Sequence, residues 1–420
     1  MQKTVGVIGG TIWGNRGAEA MLVTAIGKVR EKNPNTKIII FSYLPSQDKE
    51  LLNDPTIAIH DARPLALVLS HLPFSFVAWL LNLVGLSLPN LGLFKSAYAL
   101  SQCDILLDVG GISFADGREK FLPFNILIIL PAVLMGVKVV KLSQAMGSFK
   151  NPVNRLASRL FLPLCHQIYA RGIITASYLE NLHLKPTLWK HVPDVAFLYQ
   201  SSFTLSNENN DKVAQDVSKL TSLKAQGTPI IVLSPSSVVF EQMAKQGKDY
   251  IAVFLRLISS LSPSYHYLVV PNATRENSEK LRNNDLIIID MLRLRAEREL
   301  PYATRNRIQP ILYDLNTASS RELLEYGDVM VTSRFHGMIS ALSLALPTCV
   351  IGWSHKYEEI LAEFGMEKFA IDYKDVDENL AKTVENLLQY ADDWQQKIKD
   401  CLPKVKAQSQ IQFDNLDLDN

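Results

Sequence analysis

An arginine and a histidine, Arg334 and His336, stand two residues apart directly after an apolar run that predicts a β-strand over residues 328–332. From Met338 to Leu346 apolar residues recur at helical spacing, so the pair lies at the predicted start of a helix. A helix start offers unpaired N–H groups and the positive end of the helix dipole, and an arginine adds a planar pair of donors. We expect this turn to bind a phosphate or carboxylate, and His336 to move a proton near neutral pH. The alternative is a capped helix with an incidental surface Arg and His.

Three more residues near this turn are candidates for the same ligand. Ser333 and Phe335 flank Arg334 in the chain. Lys356 follows the next predicted strand, at residues 348–351, where its charge would neutralise a second anionic group. The alternative for Lys356 is an ordinary surface lysine.

Small and polar residues follow the predicted strands of the first half, where a ligand can approach the backbone. The loop after the first strand is longer than a dinucleotide fingerprint and is split by Arg16, so it is either a different ligand loop or a tight turn. A pair of glycines after the third strand serves either a ligand or helix packing. The candidates for ligand contact on this side are Gly14, Asn15, Gly17, Glu19, Gly110, Gly111 and Gln144.

Arg171 ends another apolar strand of the first half. A buried guanidinium is costly without a partner, so it should meet a carboxylate. That carboxylate is either structural, with Glu180 or Asp194 as candidates, or part of a substrate.

Short β-branched runs alternate with helical patterns along both halves of the chain, which predicts an α/β fold with parallel sheets. Strands are predicted at 5–8, 37–42, 104–109, 137–142 and 167–170, then at 229–233, 267–270, 286–289, 329–331 and 348–351. A helix is predicted over residues 18–31, and the polar stretch 201–212 marks the domain boundary. We therefore predict two Rossmann-like domains facing across a cleft, at residues 1–205 and 206–395, with a C-terminal helix and tail at 396–420.

Composition narrows the class of protein. The 420 residues include 43 Lys or Arg and 42 Asp or Glu, a net charge of +1, which gives no global field for nucleic acid. Four cysteines lie far apart, without His partners at metal spacing, so we expect no metal site and no disulfide framework. The chain starts with a strand pattern rather than a signal peptide, and we expect a cytoplasmic protein.

One stretch, residues 64–94, contains no charged residue. It is long enough to cross a bilayer, but Pro73 and Gly85 interrupt it and His71 and Asn82 lie within it. Three interpretations stay open: a membrane span, a buried helical hairpin, and a surface that touches the inner face of a membrane without crossing it.

Several motifs together resemble the polysaccharide pyruvyl transferase family, in order along most of the chain. They are GNRGAEA at 14–20, DVGGISF at 108–114, SQAMGS at 143–148, YARGIITASYLENL at 169–182, PDVAF at 193–197, SRFHGMI at 333–339 and GWSHKYEEIL at 352–361. The first of these departs from the family, which often has Asn, Gly and Asp at close spacing there. The charge-free stretch 64–94 is not explained by the family's motifs.

The resemblance implies a glycosyltransferase-B-like arrangement of the two domains and phosphoenolpyruvate as the donor, with no other cofactor. By motif position the family's donor-gripping Arg and His correspond to Arg334 and His336, and its upstream donor-binding Arg corresponds to Arg171. The donor set is then completed by Ser333, Phe335 and Lys356. The glycine-rich loops and Gln144 belong to the acceptor side, where the acceptor is a sugar of a cell-surface glycan, free or lipid-linked.

Transfer of a pyruvyl group requires a proton for the methylene carbon of the donor and a base for the sugar hydroxyls. We assign the proton to His336 and place Arg334 and Asp194 with it in the catalytic set, with Glu19 as the other candidate base. Two other functions stay open on the same fold, a nucleotide-sugar glycosyltransferase and a non-catalytic glycan-binding protein. The first usually has Glu residues around the second-domain helix, and this sequence has none between Glu325 and Glu358.

Overall fold

The computed structural model describes residues 2–86, 92–201, 205, 208–276, 278–352 and 356–418, except for the side chains of 93 and 377–379. The chain forms two compact units. The first contains Met1–Trp13, Ala18–Ser206 and Lys406–Asn420, and the second contains Gly14–Gly17 and Asn207–Val405. The C-terminal segment therefore belongs to the first unit, and the short segment 14–17 belongs to the second.

The first unit is built on a sheet of eight parallel strands in the order β3-β2-β1-β4-β6-β7-β8, with β5 paired to β6. The strands are β1 (Thr4–Ile8), β2 (Lys37–Ser42), β3 (Ile57–Asp61), β4 (Ile105–Asp108), β5 (Ile112–Ala115), β6 (Lys138–Gly147), β7 (Gln167–Arg171) and β8 (Trp189–Val192). All side chains of β1 and β4 are buried, as expected for central strands covered on both faces.

Eight helices accompany this sheet in the chain. They are α1 (Arg16–Lys32), α2 (Pro45–Leu51), α3 (Pro64–Ala66), α4 (Leu72–Leu83), α5 (Lys95–Ser101), α6 (Leu122–Leu134), α7 (Pro152–Phe161) and α8 (Ile173–Asn181). A turn of π-helix, Leu67–His71, joins α3 to α4. One core cluster joins Phe41 and Leu106 of the sheet to Ile129 of α6 and Leu179 of α8.

The second unit has six parallel strands in the order β11-β10-β9-β12-β13-β14. They are β9 (Ile230–Ser234), β10 (His266–Val269), β11 (Ile308–Pro310), β12 (Val329–Thr332), β13 (Thr348–Gly352) and β14 (Ala370–Asp372). Its helices are α9 (Asn210–Ala225), α10 (Ser237–Ala244), α11 (Tyr250–Ser260), α12 (Asp285–Glu299), α13 (Tyr302–Arg305), α14 (Thr317–Leu324), α15 (Phe335–Ser343), α16 (Lys356–Ala362) and α17 (Val376–Gln389). The last helix, α18 (Ala391–Asp414), runs from this unit into the C-terminal segment of the first.

Both sheets follow the order of a Rossmann fold, in which the chain reverses direction beside the first strand. The reversal lies between β1 and β4 in the first unit and between β9 and β12 in the second. Ligands of such sheets bind beyond the strand ends at this point. The predicted glycine loops follow β1 and β4, and the predicted Arg–His turn follows β12.

The structure confirms the predicted α/β class and nine of the ten predicted strands to within a few residues. The prediction of a strand at residues 286–289 is wrong, because these residues lie in helix α12. Its buried positions Ile288, Ile289, Leu292 and Ala296 recur at helical spacing. A short β-branched run is compatible with either a strand or a helix. The helical spacing of the buried residues over the longer segment distinguishes the two.

The charge-free stretch contains one segment, Pro64–Leu83, that is long and apolar enough to cross a membrane, and 28% of its most apolar window is buried. It comprises α3, the π-turn and α4. Phe74 and Ala78 pack with Ala97 of α5, and the buried His71 contacts Ser96 through Nε2 at 2.8 Å. The segment is therefore part of the first unit, with one side against the fold and the other exposed. Residues 87–91 of the predicted stretch lie outside the described residues.

Two buried histidines should make stability fall in mild acid. Burial lowers the pKa of His71 and of His266 to about 4, from an ordinary value of 6.5. Between these values the unfolded chain binds more protons than the folded chain. Each neutral ring therefore makes its full contribution to the free energy of unfolding above pH 6.5. This contribution declines towards pH 4, by on the order of 3 kcal/mol per histidine.

Urea unfolding at a series of pH values between 7 and 4 checks this expectation for His266→Gln, whose amide can still donate to Gln309. The variant should show a shallower loss of stability with acid than the parent. His166→Gln at an exposed position is the control. Equal slopes for parent and His266→Gln would contradict the assignment.

Candidate functional site

The turn after β12 holds Arg334 at the cap of α15, with Phe335 and His336 as the first two residues of the helix. The backbone N–H of Arg334 donates to Thr332 Oγ1 at 3.0 Å. A Cβ atom on Gly337 would lie 2.9 Å from that oxygen, so glycine permits the tight entry into the helix. The predicted strand, turn and helix are confirmed here.

Asp285, the first residue of α12, is the ion-pair partner of Arg334. Its carboxylate is fully buried and also accepts hydrogen bonds from the backbone N–H of Ser237 at 3.0 Å and of Ala273 at 2.9 Å. The Nη2 atom of Arg334 donates to Asp285 and, at 3.0 Å, to Ser237 Oγ. This one carboxylate therefore fixes the guanidinium against the ends of β9 and β10.

The Nε atom of Arg334 is buried and has no hydrogen-bond partner within the described part of the chain. A buried N–H without an acceptor is unfavourable, and a charged group makes the cost larger. The guanidinium thus has donor capacity that no acceptor among the described residues uses.

His336 lies against the segment 14–17, which belongs to the same unit. A Cβ atom on Gly17 would overlap the imidazole and approach the Cβ of His336 to 2.7 Å. The ring also packs edge-on against Phe335, with the ring centroids 5.2 Å apart. Gly17 and Phe335 therefore limit the positions that the imidazole can adopt.

The segment 14–17 is held by backbone pairing with the loop after β10. Asn15 forms a β-bridge with Ala273, the N–H of Arg16 donates to the carbonyl of Asn272 at 3.0 Å, and that of Thr274 donates to the carbonyl of Gly14 at 3.2 Å. The side chain of Arg16 is buried and reaches the carbonyl of Leu315. The sequence predicts Gly14, Asn15 and Gly17 in the first domain, but this pairing places them in the second unit.

The remaining donor candidates lie around the same turn. Ser333 is buried and accepts a hydrogen bond at 2.7 Å from Tyr250, whose pKa burial raises far above its ordinary value. Lys356 begins α16, and its Nζ lies 5.1 Å from the ring centroids of Phe335 and Tyr357. The structure therefore brings Ser333, Phe335 and Lys356 to the Arg334 turn. Residues 353–355 of the GWSHKYEEIL motif lie outside the described residues.

In the first unit, a buried polar network joins the end of β4 to the middle of β6. Lys141 Nζ donates to Asp108 at 2.6 Å, and both side chains are fully buried. The Nε2 of Gln144 donates to the carbonyl of Asp108 at 3.0 Å, and the N–H of Gly110 donates to Asp108 Oδ1 at 2.9 Å. Gly110 therefore lies just beyond β4, whereas Gln144, expected beyond a strand ending at residue 142, lies within the longer strand β6 and is engaged within the protein.

Arg171 and Asp194 form a second buried ion pair, with Nη1 and Oδ2 2.5 Å apart. Arg171 also donates to the carbonyl of Gly111 at 2.8 Å, and Asp194 accepts from the N–H of Ala196 at 2.9 Å. Of the alternatives for the partner of Arg171, the structure supports the structural carboxylate Asp194. The donor-binding role of Arg171 and the catalytic role of Asp194 stay predictions, and their mutual pairing favours positioning roles for both.

Glu19 lies on α1 and is completely buried. Contact of its carboxylate with a sugar would require a change around it, so the acceptor role of Glu19 stays a prediction. Among the described residues there is no group of three or more His, Cys, Asp or Glu side chains able to hold a metal ion.

Three important residues were missed from the sequence: Asp285, Ser237 and Lys141. Because residues 286–289 were predicted as a strand, Asp285 was not recognised as the first residue of a helix. An acidic residue before a long apolar stretch with helical period is typical of a helix start. Lys138 and Lys141 are three residues apart in β6, so they must point to opposite faces of the sheet. That spacing was a usable signal that one of the two lysines is buried.

Several solved structures have a fold similar to that of this chain. A putative UDP-N-acetylglucosamine 2-epimerase from Listeria monocytogenes matches with a TM-score of 0.56 at 12% identity, covering 100% of this chain and 99% of that one. The UDP-GlcNAc 2-epimerase from Neisseria meningitidis matches with a TM-score of 0.53 at 12% identity, covering 98% of each chain. The enzyme from Methanocaldococcus jannaschii matches with a TM-score of 0.52 at 14% identity, covering 92% of each. At these identities the likeness concerns the fold alone.

The protein thus has an α/β fold like that of these structures, with Rossmann-like parallel sheets in both units. The family model of polysaccharide pyruvyl transferases matches residues 15–355. The chain belongs to the polysaccharide pyruvyl transferase family, and it is a transferase.

Gly17→Ala should disturb the imidazole without disturbing the sheet. The added methyl group overlaps His336, so the ring must move, and we expect turnover to fall by roughly 10²-fold, the loss that a misplaced catalytic group causes. Activity and thermal midpoint are measured together, with Gly92→Ala as the control because a Cβ there meets nothing within 4 Å. Wild-type turnover in Gly17→Ala would show that the position of His336 is unimportant.

Proposed function

We propose that the protein transfers the pyruvyl group of phosphoenolpyruvate to hydroxyls of a sugar in a cell-surface or exopolysaccharide glycan. The product is a pyruvate ketal, and inorganic phosphate is released. Membership of the family supports pyruvyl transfer onto a polysaccharide. The donor and the acceptor named here are our proposal.

The observation that carries the donor proposal is the arrangement of Arg334. Asp285 fixes its guanidinium at the strand reversal, and its buried Nε has no acceptor among the described residues. The N-terminus of α15 and Lys356 add positive potential to the same turn. A small ligand with a carboxylate and a phosphate satisfies these groups together.

The reaction needs one proton at carbon and two hydroxyl additions. Protonation of the methylene carbon of the donor makes C2 electrophilic, and a sugar hydroxyl adds there and loses its proton. Phosphate then leaves with the C–O bonding pair, and the second hydroxyl closes the ketal and gives up its proton. Of the two hydroxyl protons, one replaces the proton used at carbon and the other leaves with phosphate.

His336 is the residue to which we assign the proton transfer to carbon. It follows Arg334 by two residues, and Gly17 and Phe335 restrict its ring. The acceptor side is assigned to Gly110, Gly111 and Gln144 of the first unit and to Gly14, Asn15 and Gly17, with Glu19 beside them in the chain. An acceptor carried on a lipid is part of the proposal.

A nucleotide sugar is the alternative donor, because the titles of the structural neighbours name UDP sugars. Incubation of the protein with phosphoenolpyruvate and a glycolipid extract in D₂O separates the alternatives. Our proposal expects phosphate release and a ketal methyl group with one deuterium. Transfer from UDP sugars without phosphate release from phosphoenolpyruvate would overturn it.

Arg334→Lys should weaken donor binding while preserving the charge that Asp285 requires. An ammonium cannot reproduce the planar set of donors, so we expect an affinity loss equivalent to about 1.5–3 kcal/mol, the range for a charged hydrogen bond. Calorimetric titration with phosphoenolpyruvate measures this loss.

Arg334→Ala should bind the donor still more weakly and also lose stability, because it leaves Asp285 buried without its cation. The donor titrations are therefore run well below the thermal midpoint of each variant, where the protein is folded and the lost stability does not lower the measured affinity. Unchanged donor affinity in both variants would place the anion elsewhere.

His336→Gln should lower turnover by roughly 10²–10⁴-fold, the usual span for general acid–base catalysis, with a smaller effect on donor affinity. The amide keeps a hydrogen bond but has no proton to give. The pH profile of turnover and the rate of deuterium uptake at the methyl group are the measurements. A variant with the parent's rate and pH profile would leave His336 as a binding residue only.

A further inference from the structure

Helix α4 and the turns before it expose apolar side chains instead of burying them. Leu69 is 67% exposed, Phe76 52%, Leu80 45% and Leu83 66%. These residues share one side of the helix, whereas Phe74, Ser75 and Ala78 face the fold. A helix of a soluble domain normally has the opposite arrangement, so this side requires an apolar partner.

Helix α7 repeats the pattern on a separate segment of the chain. Val153 is 63% exposed, Leu156 61% and Leu160 57%, and their spacing places them in one stripe along the helix. Arg155 and Arg159 are exposed beside this stripe. The guanidinium of Arg155 donates to the carbonyl of Phe149 at 2.8 Å, so it is held by backbone.

The two exposed helices belong to one surface, because α6 contacts both α4 and α7. Helix α6 contains only apolar residues apart from Asn125, and Phe121 just before it is 37% exposed. We call the outer sides of α4, α6 and α7 the apolar face. Lys120 lies 5.1 Å from the ring centroid of Phe121 at the edge of this face.

Basic residues outnumber acidic ones around the apolar face, although Asp116, which accepts the backbone N–H groups of Lys150 and Asn151, and Glu119 also lie near it. From Lys120 to Leu179 the sequence contains no Asp or Glu, but it contains Lys120, Lys138, Lys141, Lys150, Arg155, Arg159 and Arg171. Between Asp61 and Asp104 the charged residues are Arg63 and Lys95. Lys95, Lys120, Lys150, Arg155 and Arg159 are all exposed. Cations beside an apolar surface complement a lipid surface with anionic headgroups.

We propose that the apolar face of α4, α6 and α7 docks on an anionic lipid membrane, with its apolar side chains in the interfacial layer and its Arg and Lys residues at the headgroups. This extends the membrane contact that the sequence suggested for residues 64–94 to the cationic helix α7. The docking lies parallel to the surface and does not span it. Spanning would strip Phe74, Ala78 and His71 from their partners in the fold.

Sedimentation of the full-length protein with vesicles tests the proposal, using phosphatidylcholine alone or mixed with phosphatidylglycerol. The protein should bind the mixed vesicles and be released by high salt. Arg155→Gln/Arg159→Gln should weaken binding about 25-fold, from about five-fold for each basic residue near an anionic surface. Arg282→Gln/Arg298→Gln, which removes two exposed arginines of the second unit, is the matched control.

Leu156→Gln/Leu160→Gln should abolish binding to mixed vesicles while leaving phosphate release with a soluble acceptor unchanged. Leu294→Gln, at a position 41% exposed in the second unit, is its control. Phosphate release tests the proposed function and vesicle sedimentation tests the membrane proposal. Because the two are measured separately, a negative result in one does not affect the other. Binding that none of these variants changes, or no binding to any vesicle, would overturn the proposal.

The emission of Trp79, which is 38% exposed on α4, reports the depth of docking. A blue shift on mixed vesicles that is lost in Trp79→Phe supports the apolar face, and quenching by lipids labelled near the headgroup places the indole in the interface. Quenching by labels at the bilayer centre would instead indicate a span. A concentration-dependent dimer in the ultracentrifuge that Leu156→Gln/Leu160→Gln dissolves would show that a second copy covers the face.

Discussion

The carboxylate of Asp285 is the constraint on which the second unit's site depends. It is fully buried and is held by backbone N–H groups of Ser237, Asn272 and Ala273, which follow β9 and β10. It then pairs with Arg334 after β12. Three strand ends thus converge on one anion, and the loop that contains Ala273 also pairs with the segment 14–17. A change at Asp285 would therefore reach both the guanidinium and, through Gly17, the imidazole of His336.

The first unit also contains buried carboxylates that pair with basic side chains, at two places. Lys141–Asp108 and Arg171–Asp194 are buried ion pairs, the first between β6 and the end of β4 and the second at the end of β7. Gln144 and the carbonyl of Gly111 provide further hydrogen bonds to these pairs. Buried ion pairs contribute little net stability, but breaking one is strongly destabilising. These pairs therefore fix the position of the backbone around the ends of β4 and β7.

Local patterns predicted the elements of this protein well and their polar connections poorly. The apolar run of β12 and the helical period after Gly337 were sufficient to predict the Arg334 turn. The partner of Arg334 was not predictable in the same way, because Asp285 lies 49 residues earlier in the chain. In addition, the β-branched run after Asp285 resembles a strand although it forms a helix. The membership of Gly14 in the second unit was also beyond local reasoning, because it depends on a β-bridge between Asn15 and Ala273. Contacts of this kind depend on the topology of the chain. The sequence patterns indicate only which positions of a helix or strand are buried.

The Arg334–Asp285 pair is neutral as a unit, which separates the roles of the groups that would hold an anionic donor. Arg334 supplies directed N–H groups, but its charge is already balanced by Asp285. The net attraction for a donor must then come from the N-terminus of α15 and from Lys356. The Nζ of Lys356 lies 5.1 Å from the centroid of Phe335, the residue between Arg334 and His336. In the proposed reaction, different side chains would therefore attract the donor and orient it.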